Sequence, residues 1–442
     1  MAQFKDVRGL SWTAENEVVA RNLFATFDNF LTYRADVMDR LNSILEEDPE
    51  CPSAWILKGF LFLSARSLSL LPQAQDAHAR AASLSQQSNP REQLHAKALK
   101  HWVEGDLRGA QLVFDRIATE HPHDLLALRL QHVNAIFFGR SDVLRTTVTR
   151  TLSDWDDSVP GAGIVYGMAC MGLEEVGEYE RAEKLGKRGV ELEPDDLWAI
   201  HSVSHVLEAQ GRLKDGIEWM KRPDSYWDGR GPMRHHLWWH EALFMFEAAD
   251  YEGTLSYFDD RLAPAENRPG YLEMSNCASL LFRLEVAGQD CGERWNTLIQ
   301  RCNHLVEDRA LTFSDIHMIV ALTMARKGSA LERMAREISD YAASGGAFDR
   351  VASGKISVPL AKAMQARLSG DPQSATDTLL DARFDFQFMG GSIAQRDMLD
   401  ILLIDCAMAA GRKRLTRRLL NEYRDARPHS VPIERMAQRF VA

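Results

Sequence analysis

Four glycines, Gly105, Gly139, Gly177 and Gly211, follow one another at intervals of 34, 38 and 34 residues. A period of that size is the length of a two-helix unit, which cannot bury its apolar face alone and must stack on copies of itself. The surroundings of each glycine sharpen the reading. Gly105-Asp106 is followed by Ala110 at plus five and Pro122 at plus seventeen, and Gly177-Glu178 by Ala182 and Pro194 at the same offsets. Gly216 follows Gly211 at plus five, Ala375 follows Gly370-Asp371 at plus five, and Pro428 follows Gly411 at plus seventeen. These are the needs of a helical hairpin: a glycine turn, a small residue where the two helices meet, and a proline that stops the second helix.

Period and offsets together predict an all-α, tetratricopeptide-like helical-hairpin solenoid, wound as a right-handed superhelix, with almost no sheet. A chain of 442 residues, 45% of them hydrophobic, has ample material for such a stack. The pattern divides the chain into four segments. Residues 1–89 read as divergent N-terminal hairpins, with Leu41 to Pro49 a second helix ended by proline and Ala54 to Leu71 a first helix. Residues 90–222 read as regular repeats. Residues 223–350 read as longer ones, turning at Ala249-Asp250, Gly288 and Gly328. Residues 351–442 read as C-terminal repeats closed by a basic capping helix that carries Arg412, Lys413, Arg414, Arg417 and Arg418. Ser83 to Pro90 is a polar linker, and Arg222 to Pro232 a turn-rich insertion.

A formal net charge of −11 argues against a broad nucleic-acid footprint and against acidic membranes, both of which ask for a basic face. The N-terminus carries no apolar stretch of the secretory kind, and no window is long and apolar enough to span a bilayer. Six cysteines without a C-x-x-C pair indicate neither a disulfide framework nor a zinc ribbon. A cytoplasmic protein is the expectation.

Within the repeats, two H-x-x-x-H stretches stand out: His201/His205 and His236/His240, 35 residues apart. That offset is close to one repeat, so the two pairs should occupy matching positions on neighbouring first helices. With the turn glycine numbered 15, positions 2, 5, 9 and 12 of a first helix share one stripe, which in such repeats lines the concave groove. In the unit turning at Gly211 these are Trp198, His201, His205 and Glu208. In the next helix, His236, Trp239 and His240 share a face. Position 8, where the two helices approach closely, holds Ala98, Cys170 and Ser204, so Cys170 reads as a packing residue rather than a reactive thiol.

Four readings of the histidines stay open. As metal ligands they offer four nitrogens, with Glu208 or Glu241 as an added carboxylate; the zincin motif fails because Phe244 stands where its second histidine should be, and of the paired E-x-x-H of di-iron bundles there is one lone helical example, Glu92-His95, so no metal ligand is assigned. As acid/base groups, His205 and His240 would move protons on a small molecule, in an enzyme of unspecified reaction. As recognition groups they would bind a small molecule or peptide in the groove, and this binding role is the leading expectation. As packing residues they would be hydrogen-bonded between helices. No cofactor follows from the residues, and a homo-oligomer is left open.

The blocks Trp198-Ala-Ile-His201 with His205, Gly211 and Trp219, and His236-Leu-Trp-Trp239-His240 with Ala242-Leu243, resemble the tetratricopeptide repeat protein 38 family. Ser279-Leu-Leu-Phe-Arg283-Leu, with Gly288 and Arg294-Trp295, and Phe313-Ser-Asp315-Ile-His317 resemble it too. Asn276 and Phe282 depart from it, where the family tends to place an acid and a tryptophan. The resemblance covers nearly the whole chain and implies an all-α repeat protein, without a reaction, substrate or cofactor to carry over. It adds Arg283, Asp315 and His317 to the candidate groove: Arg283 as an anion-binding fork or the ion-pair partner of Glu273 or Asp259, and Asp315 as the orienter of His317 or the cap of its helix.

Overall fold

The structure, a computed structural model, describes residues 2–137, 139–264, 269–344 and 348–441. Its contacts divide into two compact units, and the chain passes between them more than once. The first unit comprises residues up to 136, 140–203 and 223–233; the second comprises 137–139, 204–222 and everything from Arg234 onward. Both are built from antiparallel helix pairs, an all-α tetratricopeptide-like repeat fold.

The first unit opens on a β-hairpin, β1 (Ala2–Lys5) and β2 (Ser11–Ala14), paired antiparallel from Ala2↔Ala14 to Lys5↔Ser11. This corrects the expectation that helical repeats begin at the N-terminus. Asp6 organises the turn: its carboxylate accepts the amides of Arg8 and Leu10 and the indole N–H of Trp12. The helices that follow are α1 (Glu17–Leu31), α2 (Val37–Glu47), α3 (Pro52–Ser64), α4 (Leu71–Leu84), α5 (Pro90–Val103), α6 (Leu107–Glu120), α7 (Leu125–Phe137), α8 (Ser141–Thr149), α9 (Ala162–Glu174), α10 (Tyr179–Leu192) and α11 (Leu197–Ala209). The division between the units falls inside α11, after Val203. The second unit continues with α12 (Leu213–Met220), α13 (Met233–Glu247), α14 (Tyr251–Tyr257), α15 (Tyr271–Val286), α16 (Arg294–Cys302), α17 (Thr312–Met324), α18 (Gly328–Ala343), α19 (Phe348–Ala352), α20 (Val358–Leu368), α21 (Pro372–Ala382), α22 (Ile393–Ala409), α23 (Lys413–Ala426) and α24 (Val431–Val441). The basic run lies on the exposed face of α23, and the described chain continues into α24, so α23 is not the last helix.

In the middle of the chain, first and second helices differ in kind. In α9 every residue is buried, whereas its partner α10 buries only Ala182, Gly186 and Gly189. The first helix is an inner element apolar all round and the second an amphipathic outer one. Small residues set their separation: a Cβ added at Gly186 would meet Cys170 Sγ and Val203 at 2.6 Å. Cys170 is buried, and burial pushes its thiol well above the ordinary range. Gly105, Gly139, Gly177, Gly211, Gly288, Gly370 and Gly411 all have positive φ. Two turns use other residues in the same conformation, Ala249 (φ 59°) and Arg326 (φ 55°). Gly328, expected at a turn, is the first residue of α18 instead, and the turn sits two residues earlier.

Candidate functional site

The second unit brings α11, α13 and α15 together around imidazole. His205 and His240 lie with ring centroids 4.5 Å apart and planes at 67°, and His236 and His240 at 4.8 Å and 72°. A ring nitrogen of each of His205, His236 and His240 falls within 4.8 Å of the others. His201 belongs to the first-unit part of α11, where it is buried with its ring 4.9 Å from that of Trp198. Trp239 stacks on His236 at 5.2 Å with planes 12° apart, and Arg283 lies 5.8 Å over the Trp239 ring.

The candidate residues are enclosed, not spread along an open groove. His205 is 2% exposed, His236 5%, and His240 and Trp239 not at all. This corrects the expectation that the whole stripe is presented to a ligand. Inner helices here are covered on every side, so the stripe becomes interior. Desolvation by burial, with the neighbouring rings adding to it, holds His205 far below its ordinary pKa; burial and His240 lower His236 to about 3, and burial alone lowers His240 to about 3. All three are neutral at physiological pH, with a lone pair on one nitrogen of each ring.

Hydrogen bonding fixes part of that chemistry. His236 Nδ1 lies 3.0 Å from Asn276 Oδ1, and since a carbonyl oxygen only accepts, Nδ1–H is the donor and Nε2 carries the lone pair. His240 Nδ1 lies 3.3 Å from Glu208 Oε2. From Glu208 a polar network runs outward. Arg427 stands 3.9 Å from Glu208 and 3.4 Å from Asp397, Tyr423 donates to Asp397 at 3.1 Å, and Arg283 pairs with Asp397 and donates to the Ala394 carbonyl at 2.7 Å. Asp397 is therefore the partner of Arg283, in place of the expected Glu273 or Asp259. Glu273 faces His235 at 3.1 Å, and Asp259 is taken by Arg294 at 2.5 Å.

The remaining candidates have other partners. Trp198 belongs to the first unit, where its indole donates to His132 Nε2 at 3.1 Å and its ring neighbours Arg129 and Tyr33. Asp315 accepts from Arg309 at 2.6 Å and lies inside α17, which starts at Thr312, so it does not cap the helix. His317 donates Nδ1–H to the Phe313 carbonyl at 2.8 Å, and burial lowers it to about 3. Glu241 accepts from Tyr257 at 2.7 Å. Glu92 binds Thr13 and Ser53, and His95 binds Asp124.

Sequence reasoning missed Asn276 as a histidine partner and missed the C-terminal contribution altogether. Asp397, Tyr423, Arg427 and Ser430 belong to no motif. The one signal was Pro428 at plus seventeen from Gly411, which marks the loop without saying what it approaches. That loop covers the turn after α11: a Cβ on Gly211 would lie 2.3 Å from His429 Cβ.

Hollows adjoin the network, and two of them bear on its chemistry. One, of about 20 Å³, is lined by Glu208, Glu247, Asp397, Tyr423, Arg427 and Ser430 among others. It has room for little more than a water or an ion. The other is a cleft of about 330 Å³ beside α22 and α23, which shares Asp397, Tyr423 and Arg427 with the first and adds Arg383, Arg396, Asp400 and the apolar Ile393, Ile404 and Leu419.

No family model matches the chain. Among solved structures, the chain is similar to one in the APC/C heterotetramer Cut9–Hcn1, at 12% identity and a TM-score of 0.45, covering 96% of this chain and 75% of that one. It is also similar to human IFIT1 in a dimer with m7Gppp-AAAA, at 10% identity and a TM-score of 0.40, covering 97% and 91%. A third is the C-terminal part of a TPR repeat-containing protein from Cytophaga hutchinsonii, at 13% and 0.33, covering 64% and 98%.

Proposed function

We propose that this chain is a tetratricopeptide-like binding protein whose ligand is a small charged molecule held in the cleft beside α22 and α23. The observation that carries this reading is the convergence of Arg383, Arg396 and Arg427 with Asp397 and Asp400 on a cleft of about 330 Å³ that also has apolar walls. Small-ligand sites have that size and that mixture. Burial and the neighbouring Asp397 raise Asp400 to about 6, which suits a group awaiting a cationic partner. Compared with the stripe on the first helices, the cleft has the room that the enclosed histidines lack. We also infer, from the motif blocks given above, a relationship to the tetratricopeptide repeat protein 38 family. A reducing, cytoplasmic setting suits six buried cysteines that form no disulfide.

The test is native mass spectrometry of untagged protein for a bound small molecule, followed by the same measurement on Arg396→Ala and Asp400→Asn. The expected result is a co-purifying mass that both variants lose while keeping their helical circular dichroism. A wild-type protein that carries no ligand, and that no member of a library of small anions and zwitterions stabilises against heat, would count against the reading.

A second reading, acid/base chemistry on a group that reaches the small hollow of about 20 Å³, draws on Glu247, which lines that hollow. Burial, with Glu208 and Asp397 adding to it, pushes its carboxyl up to about 7, so it can both give and take a proton near neutrality. His205 and His240, held neutral, are poorly suited to the proton transfers first considered for them.

A further inference from the structure

Three buried histidines of the second unit, His205, His236 and His240, face one another with the donor atoms of a ligand set. The rings of His205 and His236 each lie against that of His240, at 4.5 and 4.8 Å and at angles of 67° and 72°. Their ring nitrogens lie within 4.8 Å of one another. A tetrahedral zinc ion with Zn–N bonds of about 2.0–2.1 Å asks for nitrogens roughly 3.3 Å apart, which small side-chain rotations would reach.

Outer contacts agree with this arrangement. Metal-bound imidazoles commonly give their second N–H to a carbonyl or carboxylate, which orients the ring and strengthens the ligand. Asn276 Oδ1 holds that place for His236, at 3.0 Å, and Glu208 stands 3.3 Å from His240 Nδ1. The Glu208 side chain is 9% exposed and supplies negative charge beside neutral rings. It also lines the small hollow of about 20 Å³, which has room for a water or an ion.

We propose that His205, His236 and His240, with the Glu208 carboxylate beside them, hold one divalent transition-metal ion of the zinc class. Nitrogen donors with one carboxylate select zinc, cobalt or nickel over magnesium or calcium. The proposal concerns a site separate from the cleft, and its test distinguishes the two.

Untagged protein is stripped with a chelator and titrated with Co²⁺, whose visible d–d absorption reports nitrogen coordination, and Zn²⁺ is then added to displace it. The expected result is one equivalent of Co²⁺ per chain, bleached by Zn²⁺. His205→Gln and His240→Gln should remove the absorption. Asn276→Ala, which leaves every ligand in place, should weaken binding about 10–100-fold. His132→Gln and Asp400→Asn should leave the titration unchanged. Folded wild-type protein that takes up neither ion stoichiometrically would overturn the proposal, and so would Co²⁺ binding that persists in His205→Gln/His240→Gln. Should the histidine variants unfold, Asn276→Ala decides: unchanged affinity there overturns the proposal, and a weakened one supports it.

Discussion

His132 illustrates how a single buried histidine constrains stability. It can accept the Trp198 indole N–H only while Nε2 keeps its lone pair, so the folded state requires the neutral ring. Burial, with Arg129 adding to it, holds its pKa far below 6.5, whereas in the unfolded chain the ring takes up a proton near 6.5. Below that pH the unfolded state therefore binds more protons than the folded one. The stability contribution is complete above pH 6.5 and is lost as the pH falls, by at most about 1.4 kcal/mol per unit. Asn at this position could still accept the indole hydrogen bond and would not titrate. Urea unfolding of wild type and His132→Asn between pH 7 and pH 5 should show the wild-type stability falling more steeply, and parallel profiles would refute the assignment. Trp198 was legible in the sequence as a stripe residue; that its partner would be His132 was not, because the pairing joins positions 66 residues apart.

At the scale of elements, helices were readable where local chemistry decides them and unreadable where a distant segment does. The glycine turns were visible because positive φ is cheap only for glycine. The turn read at Ala249-Asp250 is there without a glycine, Arg326 escaped the pattern because its turn is held by the helices on either side despite the strain, and the apparent signal at Gly328 was a helix start. The first helices were read as two-faced, since a stripe of histidine and tryptophan looks like a groove; their full burial depends on later helices, with α15 packing against both α17 and α22. Gly211 joins both kinds of constraint. Its φ of 65° disfavours a side chain, and His429 fills the space a Cβ would need. Gly211→Ala should therefore cost more than the same change at Gly177, which also has positive φ but nothing within 4 Å. We expect about 1 kcal/mol at Gly177 from the backbone alone, and about 2–4 kcal/mol at Gly211 once overpacking is added. Equal losses in chemical denaturation would show that the His429 contact contributes nothing. A second element-level case is Asp124, between α6 and α7, where burial would raise the carboxyl but His95 and Arg91 outweigh it and hold it well below its usual range. Asp124→Asn leaves Arg91 buried without a counter-charge and should cost about 3–5 kcal/mol. A loss below 1 kcal/mol in the same measurement would mean that solvent reaches Arg91.

For the molecule as a whole, chain order and spatial order part company. The chain leaves the first unit after Val203 and comes back to it for residues 223–233, a return that the turn-rich composition of Arg222 to Pro232 marked only as an insertion. Hydrogen bonds account for the return. The Gly231 amide donates to the Tyr33 carbonyl at 2.6 Å and the Ala35 amide to the Gly229 carbonyl at 2.9 Å, an exchange that pairs Arg34 with Arg230 in a short antiparallel bridge. The Arg230 side chain is buried and donates to the Asp195 carboxylate at 2.6 Å, to the Asp195 carbonyl at 3.0 Å and to the Thr32 carbonyl at 3.4 Å. One guanidinium thus ties three stretches of chain that are far apart in sequence. Arg230→Ala would leave those acceptors without their donor, at a cost of about 2–4 kcal/mol borne locally. The segment should then open more often than the unit around it unfolds. Trypsin would report this at Lys221, just ahead of the returning segment, since Pro223 blocks cleavage after Arg222. Nicking there should accelerate about tenfold or more in Arg230→Ala, while the midpoint of global unfolding shifts much less. If instead cleavage keeps its wild-type rate, backbone pairing through Gly231 and Ala35 is enough to hold the segment, and the arginine is not what anchors it.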